Sequence, residues 1–185
     1  MAFGPTSSCK SSAWFGITWI RGWTQRPALL YSTSSFVSNL FQFSYFLLRI
    51  TDTCTLSNGN LSLLGDLRTF SGIPFTHLLS AEMFGTYKPS PKVYLGAAEK
   101  LELHPNQCVM VAAHLNDLKA AKENGLQTVY VERPDEEDWG ADEVEQARQG
   151  GWVDLWISSK DGSRGFITVA EKLGIDVTDA EQTAS

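Results

Sequence analysis

The hydrophobic pattern changes period several times along the chain, and each change marks an element. Ile50 to Leu56 predicts a short strand, closed by the turn-forming cluster Ser57-Asn58-Gly59-Asn60. Leu61, Leu64, Leu67 and Phe70 then recur at helical spacing until Ser71-Gly72 stops the helix. His77-Leu78-Leu79 predicts another short strand. Ser90 stands as an N-cap with Pro91 at the first helical position, where its missing N–H costs nothing. Val93, Tyr94, Ala97, Ala98 and Leu101 give that helix an apolar stripe. Cys108 to Ala112 is continuously apolar, as in a strand buried on both faces. Asp117 to Asn124 reads as a helix with Gly125 beyond its end, and Thr128 to Val131 as the next strand. Val153 to Ile157 predicts a further strand, and Ile167 to Leu173 a last helix closed by Gly174. Strands alternating with helices imply an α/β fold, a parallel sheet covered on both faces. Ligands of such sheets bind beyond the carboxyl ends of the strands.

Composition narrows the class. The 185 residues are 43% hydrophobic and 19% charged, which excludes a disordered tail, a collagen-like fibre and a coiled coil. The net charge of −6 argues against a broad basic face for nucleic acid. No run of 18 apolar residues occurs, so no membrane-spanning helix is expected. Cys9, Cys54 and Cys108 match neither a disulfide framework nor a paired metal-ligand spacing, which points to a reducing, cytoplasmic setting.

Charge also divides the chain. Residues 1–51 hold no Asp or Glu and carry Lys10, Arg21, Arg26 and Arg49, whereas residues 52–185 hold all 21 acidic residues against 11 basic ones. A boundary therefore falls near residue 52, with an atypical, poorly packing segment before it, a core from 52 to 177 and a tail from 178 to 185. For the first segment three readings stand. It is an acid-poor transit leader, or a membrane-surface anchor around Phe36 to Ile50, or, as preferred, a stretch never shaped to pack with the rest, as from a misjoined gene model.

Three polar clusters fall at predicted strand ends. Ser57-Asn58 offers a hydroxyl, an amide and the N–H groups of a helix start, the makings of an anion cradle or of a simple capped turn. Lys88 sits between Tyr87 and Pro89, placed to neutralise a carboxylate or to lie solvated in a loop. His114-Leu115-Asn116-Asp117 follows the apolar run, with Asp117 serving as an N-cap, a chemical group, or both.

The order strand–Ser-Asn, Lys-Pro, apolar strand–Asp, at separations of 31 and 29 residues, resembles motifs two to four of the haloacid dehalogenase (HAD) hydrolase superfamily. Thr55 to Asn60, Ser80 to Tyr94 and Met110 to Leu118 are similar to type II 2-haloacid dehalogenases, fungal ones in particular, and the resemblance spans about residues 54–177. It implies a Rossmann-like HAD core and a metal-free, cofactor-free hydrolysis of a 2-haloacid to a 2-hydroxy acid through an aspartyl ester. It further implies that Ser57 holds substrate or nucleophile oxygens, that Asn58 helps bind halide, and that Lys88 keeps the nucleophile ionised. Asp117 acts on Lys88 and the hydrolytic water, while His114 and Asn116 line the same loop. The implied partner is a small 2-haloacid or related carboxylate, with a homodimer left open.

One part of the pattern is absent. The family's nucleophilic Asp, on an apolar first strand, has no match in residues 1–51, and its cap domain has none either. Asp52 lies five residues before Ser57, about 16 Å below that strand's tip at roughly 3.3 Å per residue. The expected core is thus truncated, lacking its first central strand between the strands ending at Ser57 and Ala113. Phe41 to Ile50 is one apolar run available to fill that gap. A non-catalytic remnant or partner-binding module, and a HAD phosphatase, remain as alternatives.

Overall fold

The computed structural model describes residues 15–20, 52–159 and 164–174, the first group as backbone alone. Its strands are β1 (Phe15–Ile20), β2 (Cys54–Ser57), β3 (His77–Ser80), β4 (Cys108–Ala112), β5 (Gln127–Val131) and β6 (Leu155–Ile157). Its helices are α1 (Leu61–Ser71), α2 (Pro91–Lys100), α3 (Leu115–Glu123), α4 (Ala141–Gly150) and α5 (Phe166–Lys172). They alternate in the βα manner that the hydrophobic pattern implies, and the strands form one sheet in the order β3-β2-β1-β4-β5-β6.

The pairs β2–β3, β4–β5 and β5–β6 are parallel. Every residue of β2 and β4 is buried, as expected for strands covered on both faces. Leu56, Tyr94, Met110, Val111, Leu115 and Leu118 lie in the core, each at 0% exposure. Gly72 ends α1 in the left-handed region at φ 67°, the conformation a glycine adopts without a Cβ penalty.

The middle of the sheet differs from expectation. Phe15–Ile20 occupies the slot between β2 and β4 and runs antiparallel to both. Phe15 stands opposite Ser57, and Ile17 stands opposite Thr55 on one side and Val111 on the other. These six residues are paired along both edges of the strand. Two parallel edges with open backbone groups demand a partner, and an antiparallel strand satisfies those groups as a parallel one would. Phe41 to Ile50 lies outside the described residues, as do the remainder of residues 1–51 and the tail from 178.

Three local expectations also shift. The α1 stripe buries only Leu64 of its leucines, with Leu61 at 38% and Phe70 at 86% exposure. α3 begins at Leu115, two residues before the predicted start, so His114 and not Asp117 occupies the N-cap position. α4 was not predicted, since Ala147 is its one buried residue and it carries no apolar stripe.

Cys54 and Cys108 open β2 and β4 as buried free thiols. Burial pushes the Cys108 thiol up from 9.0 to about 12, and burial above all raises Cys54 well above the ordinary thiol range. The unfolded chain releases a Cys108 proton near 9.0, which the folded chain keeps until about 12. The folded state then binds more protons, so stability falls as pH rises through that window. Replacing Cys108 with Ala is expected to flatten the alkaline loss by about 1.4 kcal/mol per pH unit, one proton's worth. Urea midpoints of both proteins between pH 9 and 11 test this, and parallel slopes would refute it.

Candidate active site

The functional edge is built from the carboxyl ends of β2 and β4 and the loop after β3. Ser57 ends β2 fully buried, and its Oγ accepts the Gly59 N–H at 2.9 Å, turning the chain back over the strand tip. Asn58 then reaches across to the next cluster. The Lys88 N–H donates to Asn58 Oδ1 at 2.7 Å, and Asn58 Nδ2 donates to the Lys88 carbonyl at 3.3 Å. Asn58 therefore grips Lys88 by its backbone on both sides.

The grip leaves the Lys88 side chain free to extend inward. Its Nζ meets Asp117 Oδ2 at 2.6 Å, with both side chains at 1% exposure. Asp117 sits in the first turn of α3, and its second oxygen, Oδ1, accepts the Tyr94 hydroxyl at 2.6 Å. Burial lowers the Lys88 pKa from the ordinary lysine value, and the Asp117 charge opposes that shift. Burial, then the Asp117 charge, pushes the Tyr94 hydroxyl upward, so it remains a proton donor at any physiological pH. The result is a dry, ordered group of one cation, one carboxylate and one phenol. Such a group can hold a neighbouring carboxylate ionised or orient a water.

Ser57, Asn58, Lys88 and Asp117 thus converge on one sheet edge. His114 stands half-buried at the α3 N-cap, and Asn116 is exposed in the first turn. Asp52 precedes β2, at the opposite end from Ser57, and is exposed. Asp117 caps no helix with its side chain; its two oxygens are committed to Lys88 and Tyr94.

The suggested anion cradle at α1 is filled from within. The Leu61 N–H donates to Glu82 Oε1 at 2.8 Å, and the Leu63 N–H donates to Asn60 Oδ1 at 2.8 Å. Ser80 braces the same loop, its Oγ donating to the Gly59 carbonyl at 2.6 Å. Three contributors went unrecognised in the sequence. Tyr94 was read as core, although a buried tyrosine hydroxyl calls for a partner. Glu82, and Glu137 whose Oε2 accepts the Leu115 N–H at 2.9 Å, act across long sequence separations, which no local pattern announces.

The α/β core with Lys88 and Asp117 paired at one edge is similar to known hydrolases. The family described as HAD-hydrolase-like matches residues 86–152, the stretch that carries both. The curated proteins that the chain resembles are 2-haloacid dehalogenases. It is 34% identical over 80 residues to (S)-2-haloacid dehalogenase 4A of Burkholderia cepacia, covering 42% of this chain and 35% of that one. It is 32% identical over 83 residues to (S)-2-haloacid dehalogenase 1 of Pseudomonas sp. strain CBS-3, covering 44% and 37%. Among solved structures, the L-2-haloacid dehalogenase PA0810 superposes with TM-score 0.59 at 35% identity, over 71% of this chain and 54% of that one. The defluorinating L-2-haloacid dehalogenase Rha0230 superposes with TM-score 0.59 at 27% identity, over 79% and 54%. The chain spans about a third of the length of these curated relatives and about half of these solved ones. Among the described residues, no helix is long and apolar enough to cross a membrane.

Proposed function

We propose that this chain carries the charge-holding half of a 2-haloacid dehalogenase site, whose complete reaction displaces halide from a small 2-haloacid through an aspartyl ester. The observation that carries the reading is the buried Lys88–Asp117 pair, joined by Tyr94 and held through Asn58. In this reading Lys88 keeps the attacking carboxylate ionised, and Asp117 with Tyr94 orients Lys88 and the hydrolytic water. Ser57 steadies oxygens of the substrate or nucleophile. Asn58 does double duty, since one Nδ2 hydrogen and the Oδ1 are already spent on Lys88, leaving one hydrogen for halide. His114 and Asn116 belong to the same loop and helix start and are assigned to the substrate side of the site. The buried free thiols suit a cytoplasmic, reducing setting.

The complete reaction needs a carboxylate at the tip of the middle strand. That strand here reads Phe15-Gly16-Ile17-Thr18-Trp19-Ile20, with Phe15 opposite Ser57, and it contains no Asp. This favours a second part of the proposal: the 185-residue chain does not turn over 2-haloacids by itself. A phosphatase reading is weaker, because Glu82 and Asn60 already occupy the α1 N–H groups that would greet a phosphate.

Halide release from 2-chloropropionate without metal, run beside phosphate release from an aryl phosphate with Mg²⁺, tests all of this. Neither is expected above background. Halide turnover above about 1 per second would overturn the inactive reading. Phosphate turnover would overturn the dehalogenase assignment.

A further inference from the structure

Glu137 lies in the loop between β5 and α4, and its carboxylate collects donors from two directions. The Leu115 N–H donates to Oε2 at 2.9 Å. The Asp138 and Trp139 N–H groups donate to Oε1 at 2.9 and 3.1 Å. The pKa of the Tyr130 hydroxyl on β5 is pushed upward by burial and then by the Glu137 charge, which places the two groups near each other. Glu137 is thereby fixed to its own loop, and it presents one oxygen to the first residue of α3.

That contact falls where α3 has no cap of its own. His114 holds the N-cap position, and its side chain makes no capping hydrogen bond to the helix start. A helix start leaves open N–H groups and a partial positive charge, and a carboxylate there satisfies both. Asp117 is two residues further along the same turn, and both of its oxygens are engaged at 2.6 Å. Such short charge-assisted bonds tolerate displacement of only about 0.5 Å. The far end of α3 is held separately, by Lys122 bonding Asp154 at 2.7 Å.

We propose that Glu137 is a positioning residue for Asp117: it anchors the first turn of α3 so that Asp117 stays on Lys88 and Tyr94. The proposal rests on the reading of that group as the site. It is tested without turnover, so an inactive chain decides it equally well.

The experiment measures acylation of Lys88 by an amine-reactive reagent, by mass spectrometry of the full-length chain's peptides. Exposed Lys92, Lys100 and Lys119 serve as internal standards. Lys88 labels slowly in the parent chain because it is enclosed. Glu137→Ala is expected to raise its relative rate about tenfold, equal to about 1.4 kcal/mol of local opening. Glu137→Gln keeps the reach and one oxygen, and so is expected to give a smaller rise. Asp154→Ala frees the other end of α3 and is expected to leave the Lys88 rate unchanged. Equal rises in Glu137→Ala and Asp154→Ala would reduce Glu137 to general stability and overturn the proposal, as would no rise in Glu137→Ala. Should the alanine variant not fold, Glu137→Gln decides. A rise confined to Lys88 supports the proposal, and none overturns it.

Discussion

Asp117→Ala is expected to cost about 3–5 kcal/mol of stability, the range for removing one partner of a buried ion pair. That is a large share of the roughly 5–15 kcal/mol that holds an ordinary domain together. The cause is not the loss of attraction alone. Lys88 and Asp117 side chains are each 1% exposed, so deleting the carboxylate leaves an ammonium enclosed without its counter-charge. The Tyr94 hydroxyl loses its acceptor in the same step. Lys88 already binds its proton less tightly than an ordinary lysine through burial, and losing Asp117 removes the charge that opposed this. The folded variant therefore holds fewer protons than its unfolded chain, between the lowered folded value and the ordinary 10.5. Stability in that window rises with pH, and the penalty is greatest below it. Adding Lys88→Met to the same chain removes the stranded charge and is expected to recover most of the loss. Urea unfolding of both single variants and the double variant measures this coupling. If the two losses simply add, within about 0.5 kcal/mol, the side chains do not depend on each other and the site is not built as described.

Legibility in the sequence followed how local each determinant is. Cys108–Ala112 could be read to its last residue because an unbroken apolar run between Gln107 and a polar loop has few other solutions. Ser90 and Pro91 placed the start of α2 correctly, since Pro at the first helical position is a local rule. The start of α3 was misplaced because Asp117 looked like a cap, whereas the cap comes from Glu137, 22 residues after Leu115. Lys88 and Asp117 were paired in advance through the family resemblance; spacing alone left each with a bland explanation. The middle strand was least legible. A slot flanked on both sides constrains pairing but not direction, and the six residues Phe15–Ile20 carry no period that favours antiparallel over parallel. The 33 residues between Ile20 and Cys54 remove any hairpin signal that a short turn would have supplied.

Ile17→Pro is expected to abolish cooperative unfolding of the chain. Ile17 is paired on both sides, with Thr55 on β2 and Val111 on β4, so a missing N–H breaks one of the two ladders whichever way it faces. The deserted carbonyl lies beside residues at 1% and 0% exposure, out of reach of water, and costs about 1–3 kcal/mol. The proline ring adds to this, because a strand with neighbours on both edges has no room to move aside. Once β1 leaves, β2 and β4 become two facing, unpaired edges in the middle of the sheet, and such edges seek other chains. Loss of a sharp urea transition together with concentration-dependent association is therefore the expected outcome. Phe15→Pro supplies the contrast, since the first residue of a strand accepts proline, and it is expected to retain a sharp transition. If Ile17→Pro unfolds at the parent's urea midpoint, Phe15–Ile20 does not close the sheet. The slot beside Ser57 would then be open to another strand, including one that carries the missing carboxylate.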